Sequence, residues 1–385
     1  MAKVLCDKDL LSRLVAFDST STKSNLPIAD FVCEYLDRPN VAITRNLSED
    51  GSKVNVVVAT DVDGAGDDSG GLVLCGHLDV VPAAEDGWNS DPFTLTELNE
   101  TYVGRGACDM KGSVALAMNV FACVDVDRLT HPLVLLFTYD EELGSLGAQR
   151  FADTRSSDQP LPPNVLVGEP TSLRAVRMHK GHLTMRITVR GKAAHSGSPH
   201  LGVNAIEAAA AVVRSLSKLA VQFKQQRIDS GRFFREVPFP VLNVAQISGG
   251  TAINIVPDRC VVDLGIRPLP GMNPQAMIEW IKDTVAKSDP HGNINVEVLN
   301  VNPPLSLEET APIYAALSGL LSQTQSYAVS YASDAGVLQA MGLQCVLFGP
   351  GSIEVAHRPN EYVPIDEFNR ARSIIERLVA RFCMS

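Results

Sequence analysis

The sequence predicts an α/β protein in which a mixed β-sheet domain is interrupted by a smaller α+β domain. Short apolar runs bounded by turns alternate with helical stretches toward both ends of the chain, which is the pattern of buried strands in an open α/β sheet. The middle of the chain instead shows alternating, half-exposed strand patterns. A chain of 385 residues has room for two or three domains.

The first part of the chain supplies elements of the larger domain. The N-terminal stretch MAKVLCDKDLLSRLVAF has charges among its apolar residues, so it predicts an amphipathic helix rather than a signal peptide. The elements predicted after it are a strand at 54–59, an acidic glycine-rich loop at 61–71, a strand at 72–77, an irregular segment at 84–103, a buried helix at 113–124, strands near 133–138 and 165–167, a helix near 145–154, and a loop at 156–163.

The middle of the chain predicts a second domain. Its elements are a strand at 182–191, a helix at 203–220, strands at 241–250 and 259–269, a helix at 274–288 and a strand at 294–300. The order β-α-β-β-α-β is that of the ferredoxin-like split unit. Residues 178–295 are therefore expected to form an inserted domain, while 1–177 and 296–385 form the larger one. The α/β pattern resumes with a helix at 311–324, a strand at 344–348 and a helix at 365–382.

The composition argues against several classes of function. A net charge of −11 argues against nucleic-acid binding, which needs a basic face, and slightly favours a cationic substrate. The sequence has no run of apolar residues long enough to predict a membrane span. The 8 cysteines are scattered without a C-x-x-C pair, which is typical of reduced thiols in a cytoplasmic protein.

Side chains that bind metals follow the apolar runs. His77 and Asp79 follow GLVLCG, Glu141 and Glu142 follow LVLLFTYD, Glu169 follows NVLVG, His357 comes shortly after QCVLFGPG, and Asp109 lies in GRGACDMKG before an apolar helical run. Ligands and catalytic groups of an open α/β sheet cluster outside the carboxyl ends of its strands, so these residues are expected to share one site. A mixed set of histidines and carboxylates is typical of Zn²⁺, Co²⁺ or Mn²⁺. The sequence therefore predicts a two-metal hydrolase.

Each motif has another interpretation when it is taken alone. His-x-Asp can be a hydrogen-bonded histidine in a turn, Asp109 can be a helix N-cap, and the acids at 140–142 can be a solvated helix start. Three successive acids repel one another unless cations are present. Adjacent side chains point in different directions, so one glutamate of the pair can bind a metal while the other faces a metal-bound water. The prediction rests on the whole set of motifs.

The stretches GHLDVVP, GRGACDMKG, YDEELGSLGA, GEPT, AAHSGSP and AHRPNEY resemble the M20 family of metallo-aminoacylases and peptidases in order and spacing. The resemblance implies a di-zinc hydrolase catalytic domain with an inserted ferredoxin-like dimerisation (lid) domain. It implies that two Zn²⁺ (or Co²⁺) ions are held by five residues, namely His77, Asp109, Glu142, Glu169 and His357. It further implies that Asp109 bridges the ions, that Glu141 is the general base and that Asp79 orients His77.

The same resemblance implies roles for the inserted domain. It implies a homodimer formed through the lid domain, in which His195 of GKAAHSGSP reaches the partner's site. It also implies that Asn254 and Arg267 bind the substrate carboxylate, a task that suits an arginine fork. Taken without the resemblance, His195 is a surface-loop histidine and Arg267 is a solvated arginine at a strand end.

A narrower resemblance concerns the substrate. The stretches VGEPTSLRAVRMHKGH, GVNAIE, IRPLPGM and FGPGSIEVAHRPNEY are similar to bacterial members of the family that hydrolyse the acetamide bond of N2-acetyl-L-ornithine in arginine biosynthesis. Desuccinylation of succinyl-diaminopimelate, dipeptide hydrolysis and broader deacylation of N-acyl amino acids use the same machinery, so these alternatives stay open. A non-catalytic binding protein is expected to have lost ligands, and a nucleotide enzyme needs a glycine-rich phosphate loop that the sequence lacks.

Overall fold

The computed structural model describes residues 4–62, 70–84, 86–155, 161–288 and 292–384. Parts of the predicted loops at 61–71 and 156–163 lie outside these residues. The helices are α1 Asp7–Val15, α2 Leu26–Leu36, α3 Gly112–Cys123, α4 Leu146–Thr154, α5 Ala205–Gln225, α6 Pro274–Ala286, α7 Pro312–Leu320, α8 Asp334–Ala340 and α9 Ile365–Cys383. The strands are β1 Val41–Leu47, β2 Val54–Thr60, β3 Leu72–His77, β4 Thr96–Leu98, β5 Thr101–Val103, β6 Leu133–Thr138, β7 Asn164–Val167, β8 Val176–His179, β9 His182–Arg190, β10 Ala194–His195, β11 Val241–Gly249, β12 Ile255–Val256, β13 Arg259–Arg267, β14 Ile294–Asn302, β15 Leu305–Ser306, β16 Tyr327–Val329, β17 Gln344–Leu347 and β18 Tyr362–Pro364.

The chain forms two compact units. The first unit comprises Met1–Arg177, Leu307–Tyr327 and Ser333–Ser385, and the second comprises Met178–Ser306 and Ala328–Ala332. The second unit extends beyond the predicted boundary at residue 295, because β14 continues to Asn302 and pairs with β9 along its whole length. The boundary expected at 295/296 is thereby corrected to 306/307.

The first unit is built on a mixed sheet. Its strand order is β1-β2-β6-β3-β7-β17. The β1–β2 and β2–β6 pairs are antiparallel, whereas the β6–β3, β3–β7 and β7–β17 pairs are parallel. Every residue of β3 and of β6 is buried, as expected for central strands covered on both faces. The predicted mixed α/β sheet is therefore confirmed.

The parallel strands bring their carboxyl ends to the same edge of the sheet. The loops after β7 and β17 approach each other closely there, and a Cβ atom added to Gly349 would lie 2.6 Å from the carbonyl oxygens of Gly168 and Glu169. Only glycine fits such a close backbone approach. The FGPG turn after β17 is thus packed directly against the GEP turn after β7.

The second unit has the predicted β-α-β-β-α-β order. Its sheet has the order β11-β13-β9-β14 with antiparallel neighbours, and α5 and α6 supply the apolar residues that cover one face. Along β9, Leu183, Met185 and Ile187 point into this core and have no exposed surface. Their spacing of two residues is the period of a strand with one buried face.

Some elements differ from the prediction. The strand β1 lies in a stretch where no strand was predicted, because its many polar residues give it the mixed burial of an edge strand. The segment 84–103, predicted to be irregular, contains the β4–β5 hairpin, whose turn residues Asn99 and Glu100 have φ of 49° and 60°. A turn with two positive φ angles matches the twist of a two-residue hairpin without requiring glycine. Among the described residues, none of the helices has the length and apolar character needed to cross a membrane.

Candidate metal centre

The predicted ligands of the first unit converge at the carboxyl edge of its parallel strands. His77 ends β3, Glu141 and Glu142 follow β6, and Glu169 follows β7. These strands are neighbours in the order β6-β3-β7, so the side chains that follow them meet. His77, Asp109 and Glu169 are buried, while His357, on the loop after β17, is 45% exposed.

Asp109 lies between the two histidines. Its Oδ1 is 3.1 Å from His77 Nε2, and its Oδ2 is 3.2 Å from His357 Nε2. The same nitrogen of His357 is 3.0 Å from Glu142 Oε1. Helix α3 begins at Gly112 with Lys111 as its N-cap, so Asp109 does not cap it. Each of its oxygens instead faces a different histidine.

Two overlapping groups of potential ligands are present among the described residues. One contains His77, Asp109 and Glu142, and the other contains His77, Glu141 and Glu169. Within each group, the donor atoms lie within 4.8 Å of one another. The carboxylate of Glu141, predicted to be the general base, therefore lies within 4.8 Å of the Glu169 carboxylate and the His77 ring.

The glutamates of the site have raised pKa values because they are buried and lie close to other carboxylates. Burial, and then the neighbouring Glu169, raise the pKa of Glu141 well above its usual 4.5. Burial and the nearby Asp109 raise the pKa of Glu169 in the same way, and that of Glu142 to about 7. Buried like charges that raise one another's pKa are expected where cations normally lie between them.

The pKa values of the histidines are also raised, but by their acidic neighbours rather than by burial. Hydrogen bonds with Asp109 and Glu142 raise the pKa of His357 to about 10. Burial alone would raise the pKa of Asp109, but its contacts with His357 and His77 outweigh burial and lower it.

The carboxylate of Asp79 has a different partner from the one predicted. His77 Nδ1 is 2.9 Å from the backbone carbonyl oxygen of Asp79 and 3.7 Å from its carboxylate. The carboxylate instead accepts hydrogen bonds from the backbone N–H groups of Glu141, at 3.1 Å, and Glu142, at 3.3 Å. The expected orientation of His77 by the Asp79 carboxylate is thus corrected: the main chain holds the ring, and the side chain fixes the turn that carries both glutamates.

Two residues that the sequence did not single out support this turn. Ser21 donates a hydrogen bond of 2.7 Å to Asp79 Oδ2, and Lys53 Nζ lies 2.5 Å from Asp140 Oδ1 and 2.7 Å from the backbone oxygen of Ser21. Asp140 itself has a φ of 50°. Ser21 and Lys53 lie in unremarkable polar stretches, so no local pattern in the sequence could have revealed their roles.

Asp334, without an assigned role in the sequence, is buried near the same edge of the sheet. It lies at the start of α8, and its Oδ2 accepts a hydrogen bond of 2.5 Å from Thr138 Oγ1 at the end of β6. Burial raises the pKa of Asp334, against the effect of the Thr138 hydrogen bond. Asp334 is a further acid of the site's surroundings, but it belongs to neither group of potential ligands.

The remaining predicted site residues lie in the second unit. His195, in β10, is exposed, and its Nδ1 accepts a 3.0 Å hydrogen bond from the backbone N–H of Gly197. The exposed Asn254 is close to it, because Asn254 O accepts a 2.9 Å hydrogen bond from Ser196 N. Arg267, at the end of β13, lines a depression of about 730 Å³ together with His182.

The donor set fits two divalent metal ions. It consists of imidazole nitrogens and carboxylate oxygens in two groups joined through His77, with Asp109 presenting one oxygen to each histidine. Such donors suit Zn²⁺ and Co²⁺. The fold and this site define the protein as a metallohydrolase that acts on amide bonds.

Comparison with known proteins identifies the family of metallohydrolases to which the chain belongs. Residues 73–381 match peptidase family M20/M25/M40, and the chain belongs to this family. It is 34% identical over 374 residues to acetylornithine deacetylase of Proteus mirabilis, covering 96% of this chain and 93% of the relative. It is 33% identical over 382 residues to acetylornithine deacetylase of Myxococcus xanthus, covering 97% of this chain and 96% of the relative.

Solved structures share the fold. An M20 family metallo-carboxypeptidase from Sulfolobus solfataricus superposes with a TM-score of 0.79 at 18% identity, covering 97% of this chain and 98% of the other. A dinuclear metal-binding peptidase of the M20 family from Bacillus subtilis gives a TM-score of 0.66 at 14% identity, covering 97% and 98%. The predicted family and fold class are confirmed.

Proposed function

We propose that the protein hydrolyses the acetamide bond of N2-acetyl-L-ornithine to acetate and L-ornithine, as a step of arginine biosynthesis in the cytoplasm. One observation carries the reaction type: Glu141, a buried carboxylate, lies close to the Glu169 and His77 donor atoms, while Asp109 and Glu142 form a second group that shares His77. The substrate is supported by the identity of 34% with a curated acetylornithine deacetylase along nearly the whole chain.

Five side chains are proposed to hold the metals. They are His77, Asp109, Glu142, Glu169 and His357, with Asp109 as the bridge, and the ions are Zn²⁺ or Co²⁺. When bound, such a pair of ions would lower the pKa of a water molecule to about 7 and polarise the carbonyl group that this water attacks. The Asp109 geometry supports this assignment, since its two oxygens already face two different histidines.

Glu141 is proposed to move the proton. Its carboxylate accepts the proton of the attacking water as the new C–O bond forms on the acetyl carbon. It then donates this proton to the ornithine nitrogen as the C–N bond breaks, which gives acetic acid and a neutral amine. The remaining water proton, on the new carboxyl group, passes to the amine or to solvent, so the final products are acetate and the ammonium form of L-ornithine. Burial raises the pKa of Glu141, which favours a group that accepts a proton and then returns it.

The second unit is proposed to form a homodimer. Large apolar side chains are exposed around β10, β12 and the start of α5, with Ile253 fully exposed and Leu201, Val203 and Ile255 at 57%, 46% and 40%. The nearby β11 is an edge strand that pairs only with β13 among the described strands. An apolar patch beside an open strand edge favours association with a second copy.

His195 of the partner subunit is proposed to stabilise the oxyanion of the tetrahedral intermediate. Its Nδ1 accepts a hydrogen bond from Gly197, so in the neutral ring Nε2 carries the proton and is a donor. A donor aimed at a developing oxyanion is a strong contribution to catalysis. Asn254 and Arg267 are proposed to bind the substrate carboxylate.

The test is release of the free amino group by the purified full-length protein, since all three substrate classes produce a new primary amine, with acetate measured as the second product for N2-acetyl-L-ornithine. Metal is removed with a chelator and restored with Zn²⁺ or Co²⁺, and kcat/KM is compared for N2-acetyl-L-ornithine, N-succinyl-diaminopimelate and simple dipeptides. The proposal expects metal-dependent release from N2-acetyl-L-ornithine with kcat/KM above about 10⁴ M⁻¹s⁻¹, a typical value for a true substrate. A larger kcat/KM on either of the other substrate classes would overturn the substrate assignment and keep the metallohydrolase.

A further inference from the structure

A buried ion pair joins Arg105 to Glu361 next to the Asp109 segment. Arg105 Nη1 is 2.8 Å from Glu361 Oε2, and both side chains are 1% exposed. A pair of charges so far from water is stabilising only when its geometry is good and its remaining hydrogen-bonding atoms are used. The partners of these atoms therefore indicate what the pair does.

The second oxygen of Glu361 holds the chain at Asp109. Glu361 Oε1 accepts hydrogen bonds of 3.0 Å from the backbone N–H of Cys108 and from that of Asp109. The backbone oxygen of Glu361 also accepts a 2.9 Å hydrogen bond from Gly104 N. Glu361 thus fixes both ends of the GRGACD turn and the peptide immediately before Asp109.

Arg105 extends the same contact to the two loops that carry the histidines. Its Nη2 donates a 3.1 Å hydrogen bond to the carbonyl oxygen of Pro82, which follows the His77–Asp79 segment. Its Nη1 also reaches the carbonyl oxygen of Arg358, the residue after His357, at 3.5 Å. One buried pair therefore contacts all three segments that bring His77, Asp109 and His357 together.

We infer that Glu361 is a positioning residue for the metal centre: held by Arg105, it sets the orientation of Asp109 between the two histidines. This inference rests on the metal centre proposed above. Glu361 touches no reacting atom, and its charge is balanced by Arg105, so its contribution is geometric. A bridging carboxylate must meet two ions at once, and a small rotation of its backbone would spoil one of the two contacts.

The test is a Co²⁺ titration of metal-free full-length protein, followed by visible absorption. In Glu361→Gln the shape of the side chain is kept, but one of its terminal atoms becomes a donor, so the acceptors for Arg105 and for the two N–H groups cannot all be retained. Loss of such an outer partner typically weakens metal binding or activity by about 10–100-fold. We expect Co²⁺ affinity to fall in that range, with an altered d–d spectrum. Arg105→Lys keeps the charge and should give a smaller loss of the same kind.

The matched control is Asp7→Asn. Asp7 forms a partly buried ion pair of 2.5 Å with Arg372 in the same unit, away from the ligands. Loss of this pair should lower the melting temperature of the metal-free protein without changing the Co²⁺ affinity or spectrum.

If Glu361→Gln changes only the melting temperature, or if neither Glu361→Gln nor Arg105→Lys changes the Co²⁺ affinity or spectrum, Glu361 is structural and the inference is overturned. If Glu361→Gln does not fold, Arg105→Lys alone decides by the same spectrum. Wild-type protein that binds no Co²⁺ would instead overturn the metal centre itself.

Discussion

Replacing Glu141 by glutamine removes one proton acceptor and little else. The substitution keeps the size of the side chain, and the hydrogen bond from Glu141 to Asp79 comes from the backbone N–H, so the turn after β6 should persist. Glu141 lies in one of the two groups of potential ligands, with His77 and Glu169, but the five proposed ligands do not include it. We therefore expect the variant to fold and to retain both metal ions.

The expected loss is kinetic. General acid–base catalysis contributes about 10²–10⁴-fold, which corresponds to about 2.7–5.4 kcal/mol of activation free energy. The assay is acetate release at saturating substrate near pH 7.5, with metal content measured by elemental analysis on the same samples. Glu97→Gln, on the β4 strand and half-exposed, is the matched control and should keep full kcat.

Two results would refute this reasoning about Glu141. If kcat stays within about tenfold of wild type with two metals bound, another group moves the proton. If the variant loses metal, Glu141 is a ligand, which its closeness to Glu169 and His77 would then explain. A normal Glu97→Gln variant is needed for either conclusion, because it shows that removing a carboxylate does not by itself reduce activity.

Further predictions concern the turn, the dimer and the metal-free state. Asp79→Asn removes an acceptor from the backbone of the glutamate pair, so kcat and metal affinity should each fall by about 10–100-fold, and an unchanged variant would contradict the positioning role. His195→Ala should lower kcat with metal content intact. When His195→Ala and Glu141→Gln dimers exchange subunits, the mixed dimers should recover activity, because one site then has both Glu141 and the partner's His195. No recovery would contradict a contribution of His195 across the dimer. Ile253→Glu should convert a dimer to a monomer in analytical ultracentrifugation, while the control Leu98→Glu should not, and a dimeric Ile253→Glu would argue against this interface. In chelator-treated protein, the pKa values of the site carboxylates are higher in the folded chain than in the unfolded chain, so the folded chain binds more protons above about pH 4.5. The raised pKa of His357 adds to this excess of bound protons. The melting temperature should therefore fall from about pH 5 to pH 8, and added Zn²⁺ should reduce this fall; a melting temperature that rises over this range would contradict it.

The sequence predicted the strands that build the site because they are apolar along their whole length. The runs ending at His77 and Thr138 and the run before Glu169 lie in the centre of the sheet, and their composition reflects burial on both faces. The edge strand β1 was not predicted, since its sequence VAITRNL has no regular alternation of apolar and polar residues and the strand is held by pairing with β2. The end of the second unit was also missed, because the boundary expected at 295 lay inside the predicted strand 294–300, and the whole of β14 stays with the second unit by pairing with β9.

The sequence by itself determined which residue types follow which strands. From this we predicted that histidines and acids converge at one edge of a parallel sheet. The residues that follow each apolar run can be identified in the sequence, and the alternation of strands with helices predicts the parallel pairing that brings the ends of those runs to one edge. The tertiary structure decided which atoms form hydrogen bonds. The backbone oxygen of Asp79 contacts the His77 ring, while the carboxylate of Asp79 accepts hydrogen bonds from the backbone of Glu141 and Glu142. It also brought Ser21 to Asp79 over 58 residues and Glu361 to Cys108 over 253 residues. Such contacts form between segments that pack closely only in the folded chain, and a hydrogen bond is decided by tenths of an ångström that no sequence spacing specifies.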